Sequence, residues 1–315
     1  MGGNTAVKYD ESKIKTLSSI EHIRLRTGMY IGRLGDGSNL DDGIYVLLKE
    51  VIDNSIDEFI MGHGKRIRVK LDGKCCSVRD YGRGIPLGKL MECVSQINTG
   101  AKYNTDVFMF SVGLNGVGTK AVNALSEHFL VRSFRDGECR ELVFSKGELV
   151  ADKSVDTTEK NGTYVEFVPD PEIFDGYTFR DEFIERRLLH YAFLNSGLKI
   201  QYNDRTYQSE NGLKDLLEHE TGEEIIYPVV YHREQTLEFA FTHTSAYGER
   251  YLSFANGQYT SAGGTHLSAF KEGILKGVNA YSAEKFTGDD VRDGITAAIS
   301  IKLKDPVFES QTKNK

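Results

Sequence analysis

The strongest hydrophobic periodicity in the chain lies at residues 41–61, DDGIYVLLKEVIDNSIDEFIM. Leu48, Ile52, Ile56 and Phe59 return at about 3.6-residue intervals, which predicts one helix burying that face in a core. Asp41 or Asp42 is the expected N-cap, and Gly62 the stop. The opposite face carries Glu50, Asp53, Asn54 and Asp57 at i, i+3, i+4 and i+7. The solvated side of a surface helix usually pairs its acids with bases four residues away. The sequence suggests no such partners for these acids, and an amide stands among the carboxylates. A carboxylate can take a proton from water, and an amide oxygen can hold a hard cation such as Mg²⁺.

Upstream, a polar arm holding Tyr9 leads to a helix predicted over KIKTLSSIEHI, and RTGMYIGRLGDGSN reads as a glycine-punctuated loop. Downstream, KRIRVKL and KCCSVRD alternate as strands about an Asp72-Gly73 hairpin signal. That hairpin delivers Asp80 to a strand end just before YGRGIP, where Gly82 and Gly84 allow close backbone approach and Pro86 stiffens the exit. A buried carboxylate beside glycines suits the exocyclic amine and ring edge of a base such as adenine; the plain alternative is a glycine turn capped by an aspartate.

Residues 98–112 have no clear period and read as a loop or lid in which Phe108 and Phe110 pack. In GLNGVGTKAVNALS, Gly113, Gly116 and Gly118 precede a helical stretch, a spacing that offers backbone N–H groups to phosphates. It is not a Walker A loop, because Thr119 and Lys120 are inverted, and it is not a dinucleotide fingerprint, because no βαβ context precedes it. From HFLVRSFRDG to GTYVEFVPD the alternation predicts an antiparallel meander, followed by a helix at 178–195, a hairpin in GLKIQYNDRTYQ and a closing helix in GLKDLLEHE. The pattern restarts near residue 220 with strands IIYPVVYH, LEFAFTHT and RYLSFANGQ, a turn SAGGTH, a helix LSAFKEGILKGVNAY and a last strand ITAAISIKLKDP.

With 315 residues, one or two domains are expected, and 39% hydrophobic with 27% charged residues is ordinary for a globular chain. The net charge of -7 argues against a generally nucleic-acid-coated surface, though not against a local basic patch. Cys75, Cys76, Cys93 and Cys139 form no metal-ligand spacing and are expected as reduced thiols. No apolar run is long enough for a membrane span and the N-terminus lacks a signal-peptide core, so the expectation is a cytoplasmic protein without a membrane partner.

The helix with Glu50, Asn54 and Asp57, the Asp80-x-Gly82-x-Gly84 turn, the GLNGVG loop and Thr163 in NGTYVEF together resemble the GHKL ATPases. RTGMYIG, EVIDNSIDE, YGRGIP, GLNGVGTKAVNALS, GGTH and QTK, in order and spacing, are similar to the B subunits of bacterial type IIA topoisomerases over essentially the whole chain. Asn115 in GLNGVGTK is nearer to the topoisomerase IV branch than to the gyrase branch. The resemblance implies an α+β chain. A GHKL (Bergerat) ATPase α/β sandwich with an N-terminal arm would occupy residues 1–220, and part of a ribosomal-protein-S5-like transducer domain residues 221–315. It also implies ATP and Mg²⁺ as cofactors. The expected partners are a second copy of the same chain, an A-type subunit carrying the cleavage tyrosine, duplex DNA and ATP-site inhibitors.

By the same resemblance Glu50 is the general base and Asn54 the Mg²⁺ ligand, with Asp57 beside it. Asp80 takes the adenine amine, with Gly84, Ile85, Pro86 and Thr163 around it. Lys102 and the segment Gly113, Leu114, Asn115, Gly116, Val117, Gly118 and Thr119 wrap the triphosphate. Lys313 reaches the γ-phosphate as a catalytic cation with Gln311 beside it, Tyr9 closes the pocket of a second copy, and Arg83 and Arg135 flank the mouth where aminocoumarins bind. Three positions depart from the family pattern: Val46 where many relatives place a histidine that orients the base, Tyr81 where an acid is usual, and Asn115 in place of histidine. The sequence stops two residues after QTK, so the rest of the second domain and a DxD-bearing DNA-cleavage module are expected to be missing. Competing expectations are a gyrase B subunit, an ATP-binding switch with little hydrolysis, a DNA-clamp wall, and, more remotely, a histidine kinase.

Overall fold

Alternation in KRIRVKL produces β1 (Arg66–Asp72), with Ile67 and Val69 buried and Arg66, Arg68 and Lys70 exposed. It pairs antiparallel with β2 (Cys75–Asp80), and Asp72 faces Cys75, so the turn residues are Gly73 and Lys74, one position later than the Asp-Gly signal suggests. A computed structural model describes residues 10–100, 112, 116–222, 225–310 and 312–315. Further strands are β3 (Ser126–Arg135), β4 (Glu138–Ser145), β5 (Glu148–Asp156), β6 (Gly162–Pro169), β7 (Lys199–Tyr202) and β8 (Arg205–Tyr207). They form an eight-stranded sheet in the order β5-β4-β3-β6-β2-β1-β7-β8. The predicted simple meander is therefore corrected: β6 crosses over to the other side of β3 and joins β2, because its alternating Val165 and Phe167 fit the same core as Phe129 and Val131.

Helices cover this sheet: α1 (Ser19–Leu25), α2 (Gly28–Ile31), α3 (Gly43–Ile60), α4 (Leu90–Ser95), α5 (Gly118–Ala124) and α6 (Asp181–Leu194). α1 begins at Ser19 rather than Lys13, because Ser18 and Glu21 make a reciprocal capping box there. α2 is a single helical turn inside the segment expected as a loop. α3 packs on β2, β6 and α5, and apolar residues from all these elements share one core.

A second sheet has the order β12-β11-β13-β10-β9, from β9 (Val230–Arg233), β10 (Leu237–His243), β11 (Arg250–Ala255), β12 (Gln258–Tyr259) and β13 (Ile295–Ile301). β9 is shorter than IIYPVVYH predicts, and Ile225 makes only an isolated bridge to Thr244. Three helices accompany this sheet: α7 (Leu213–Thr221), α8 (Thr265–Tyr281) and α9 (Gly288–Arg292). Hydrophobic periodicity does not predict α9; its signal is the Thr287/Asp290 capping box. Leu213, Leu216 and Leu217 of α7 pack with Phe254 and Ala298, so the helix expected to close the first unit seals the core of the second sheet. The four cysteines are free. Among the described residues no helix is long and apolar enough to cross a membrane.

Candidate active site

α3 is buried on nearly every side, its acidic face included. Asp42 occupies the N-cap position, but its carboxylate accepts from Gly37 N and Asn39 N and pairs with Arg33, so it orders the preceding loop instead of the helix end. The expectation that the acids lack i+4 bases is corrected by Lys49, whose Nζ lies 2.6 Å from Asp53 Oδ2 and 3.8 Å from Glu50 Oε1. Asp53 is fully buried and also accepts from Tyr191 Oη and from Gln258 Nε2, the latter at 3.2 Å. Burial opposes its charge, but the ammonium groups of Lys49 and Lys313 and the hydrogen bonds from Lys49 and Tyr191 together hold its carboxyl below the usual range.

Glu50 and Asn54 lie one turn apart. Asn54 Nδ2 donates to Glu50 O and to Thr119 Oγ1, both at 2.9 Å, which ties the amide to the start of α5. Gly118 lies directly against Glu50: a Cβ there would meet Glu50 Oε2 at 1.9 Å. The glycine loop thus approaches the carboxylate more closely than any side-chain-bearing residue could. Lys120, which the sequence marks only as a displaced P-loop lysine, is buried and donates to the carbonyls of Thr99 and Gly116, tying the loop base to the end of the preceding segment. Among the described residues no cluster of three His, Cys, Asp or Glu side chains forms a metal cage. One amide beside an acid suits Mg²⁺, which keeps waters and takes its other ligands from phosphates.

At the far end, β2 carries Asp80 into the turn. Its Oδ1 accepts from Gly82 N at 2.9 Å and Thr163 N at 3.1 Å, while Ser55 Oγ lies 3.5 Å from Oδ2. One oxygen is therefore saturated by backbone and the other holds only a long contact. Burial raises the carboxyl to about 6, against the two backbone bonds that favour its charge. Such a group fits a ligand N–H, as an adenine amine supplies. Gly84 has φ 75° and a Cβ there would meet Phe134 O at 2.6 Å, so the turn closes only with glycine. Ile85 O accepts from Ser133 Oγ at 2.6 Å, and Pro86 O from Lys89 N at 2.8 Å, fixing the exit.

At the mouth, Arg83 is bound by Glu58 through Nε, Nη2 and its backbone N. Arg135 Nη1 lies 3.3 Å from Gly84 O. Arg79, missed in the sequence, stacks between Tyr81 and Phe134 at 4.7 and 4.3 Å and donates to Asp80 O. Tyr81 therefore holds this arginine.

The second sheet and the C-terminal segment reach the same helix. Lys313 is buried, has a left-handed backbone with φ 58°, and donates from Nζ to Val112 O at 3.2 Å. Val112 N donates to Asp57 Oδ1 at 2.6 Å, so Asp57 anchors Val112. Glu50, Asn54, Asp57, Asp80, Gly84, Gly118, Thr119, Thr163 and Lys313 are thus gathered along α3 and the two glycine turns. Tyr9, Lys102, Gly113, Leu114, Asn115 and Gln311, with Phe108 and Phe110, lie outside the described residues. Lys49, Tyr191 and Gln258 were missed: a lone lysine, a core-spaced tyrosine and a turn glutamine carry no local signal.

Residues 39–173 match the family described as histidine kinase-, DNA gyrase B- and HSP90-like ATPase, and residues 209–315 match DNA gyrase B. The chain is 61% identical to the B subunit of DNA topoisomerase 4 from Borreliella burgdorferi over 98% of its own length and 51% of that protein. It is 38% identical to the B subunit of DNA gyrase from Enterococcus faecalis over 98% of its length and 53% of that protein, so it spans about half of these curated relatives. The crystal structure of the ATPase domain of Thermus thermophilus gyrase B in complex with an aminocoumarin superposes with a TM-score of 0.75 at 32% identity, covering 93% of this chain and 83% of that one. A GHKL layer, a gyrase B-type second sheet and a cluster drawn from both converge on one conclusion: this chain belongs to the type II DNA topoisomerase B-subunit family, in its ATPase region.

Proposed function

We propose that the cluster binds ATP with Mg²⁺ and hydrolyses it to drive a dimeric clamp on duplex DNA, as the ATPase part of a topoisomerase IV-like B subunit. The observation that supports this most directly is that Glu50 and Asn54 of α3 meet Gly118 and Thr119 at the start of α5, while buried Asp80 presents a weakly engaged oxygen at the other end. Asn54 would hold Mg²⁺, which would neutralise charge on the phosphates. Glu50 orients a water and takes its proton; Lys313 and the amides of residues 113–119, with Lys102, stabilise the charge of the transferred group. Asp80 fixes the base, and Thr163 N holds Asp80 in register. Gln311 supports Lys313, Tyr9 closes the site of a second copy, and Arg83 and Arg135 border the aminocoumarin rim.

We assign residues 1–220 to the ATPase unit and 221–315 to the transducer, with α7 as the shared element between them. An A-type partner chain would supply the cleavage tyrosine. The higher identity to the topoisomerase IV relative than to the gyrase relative favours that branch. Replacing Glu50 by Gln should leave nucleotide binding intact by calorimetry and reduce phosphate release about a hundredfold or more; undiminished release would remove Glu50 as the base.

Buried Val46, one turn before Glu50 at the place of a base-orienting histidine, favours a second reading in which ATP acts as a switch with little turnover. A phosphate-release assay on the unsubstituted chain with Mg²⁺, with and without DNA, separates the two.

A further inference from the structure

Gln258 lies on β12, in the second sheet, yet its side chain is buried against the catalytic helix. Its Nε2 donates to Asp53 Oδ2 at 3.2 Å and to Val112 O at 3.4 Å. Asp53 is three residues from the proposed base and adjacent to the proposed metal ligand. Val112 is the residue that Asp57 and Lys313 also grip, at 2.6 and 3.2 Å. One neutral amide therefore ties Asp53, on the α3 stretch of Glu50 and Asn54, to Val112 from the second sheet.

The chemistry suits a neutral donor that reaches two acceptors, as the Gln258 amide does. Lys49 already pairs with Asp53, and Gln258 adds a further bond to the same carboxylate without adding a charge. A carboxylate would repel Asp53, and an apolar side chain would leave both acceptors with one donor fewer. Tyr191 and Lys49 hold Asp53 independently of Gln258, so α3 keeps its place in the fold without it.

We propose that Gln258 is a positioning residue for ATP turnover: it sets the α3 stretch carrying Glu50 and Asn54 against Val112, and so couples the second sheet to the chemical step. This rests on the nucleotide reading above. Asp80, the proposed base contact, is held by Gly82, Thr163 and Ser55 and not through Gln258, so the loss of Gln258 is expected chiefly in the rate.

The test uses the 315-residue chain with Mg²⁺, measuring ATP affinity by calorimetry and turnover by phosphate release. Gln258→Met keeps the shape and removes the donors; Gln258→Glu keeps the shape and adds a like charge beside Asp53. Turnover should fall about tenfold for Gln258→Met and further for Gln258→Glu, with ATP affinity within about twofold of the parent. The loss caused by Gln258→Met should shrink in an Asp53→Asn background, where the two side chains no longer form the same bond. Parent-like turnover in both variants, or equal losses of affinity and turnover, would overturn the proposal. Failure of the unsubstituted chain to bind ATP would instead refute the nucleotide reading, before any variant is compared.

Discussion

At Asp80, the proposed base contact, local and distant backbone jointly hold a single carboxylate. Gly82 N is supplied by its own turn and Thr163 N by β6, and burial still raises the carboxyl to about 6. At pH 7 the group is mostly ionised and accepts a ligand N–H; as pH falls through 6 it takes a proton and its acceptor strength declines. Its contribution to ATP affinity is therefore expected to fade between about pH 7 and pH 5. Asp80→Asn should weaken ATP binding by about 1–3 kcal/mol at pH 7.5 and lose that part of the pH dependence. Calorimetry of both proteins across the range, with the parent-to-variant ratio cancelling titration of the triphosphate itself, checks this. A ratio that stays flat would move the adenine contact elsewhere. Because the unfolded carboxyl ionises near 3.8 and the folded one near 6, Asp80 also lowers stability progressively as pH rises from about 3.8 to about 6, with no further change above that.

At the scale of elements, α3 and the start of α5 come into direct contact at Glu50, the proposed base, and Gly118. The period of Leu48, Ile52 and Ile56 made the helix legible, and the spacing of Glu50, Asn54 and Asp57 made its polar face legible. That this polar face is buried was not legible, because burial depends on the loop and the second sheet that cover it. Gly118 illustrates the dependence. A methyl group there would collide with Glu50 Oε2, so Gly118→Ala should push the carboxylate aside. The expected result is at least a tenfold loss of ATP turnover, with a loss of about 1–3 kcal/mol in stability from overpacking. Chemical denaturation and phosphate release on the same preparation separate the two effects. Unchanged turnover in a folded Gly118→Ala protein would mean that Glu50 is not held by this contact. The crossover of β6 and the true start of α1 were also decided by packing and capping that alternation alone does not specify.

Across the whole molecule, the two sheets meet over α6 and a cavity of about 110 Å³ whose lining includes Val46, Lys49, His190, Gln258 and Tyr259. His190 packs on the rings of Phe254 and Tyr259, and its Nε2 is buried with no hydrogen-bond partner among the described residues. Burial lowers its pKa from 6.5 to about 4, helped by Arg186 and Arg187. The unfolded chain binds this proton near pH 6.5 and the folded chain only near pH 4. Stability is thus full above pH 6.5 and declines as pH falls towards 4, by on the order of 3 kcal/mol from this residue. His190→Phe, which keeps an aromatic ring in the site, should flatten that part of the curve. Urea denaturation at about pH 7 and about pH 4.5 measures it, and an equal pH effect in both proteins would exclude His190 as the source.

The sequence by itself determined the elements whose signals are local: the amphipathic α3, the hairpin that ends at Asp80, the glycine turns and the order of motifs that resembles a topoisomerase B subunit. These are set by side-chain period, turn chemistry and glycine placement within a few residues. Only the tertiary structure decided which neutral and charged partners meet across the chain. Gln258 is separated from Asp53 by 205 residues, and Lys313 from Val112 by 201. Contacts at that separation arise from the packing of two sheets on one helix, and the physical reason they stay hidden in sequence is that a buried polar group satisfies its hydrogen bonds wherever the fold brings a partner, not where the chain places its neighbours.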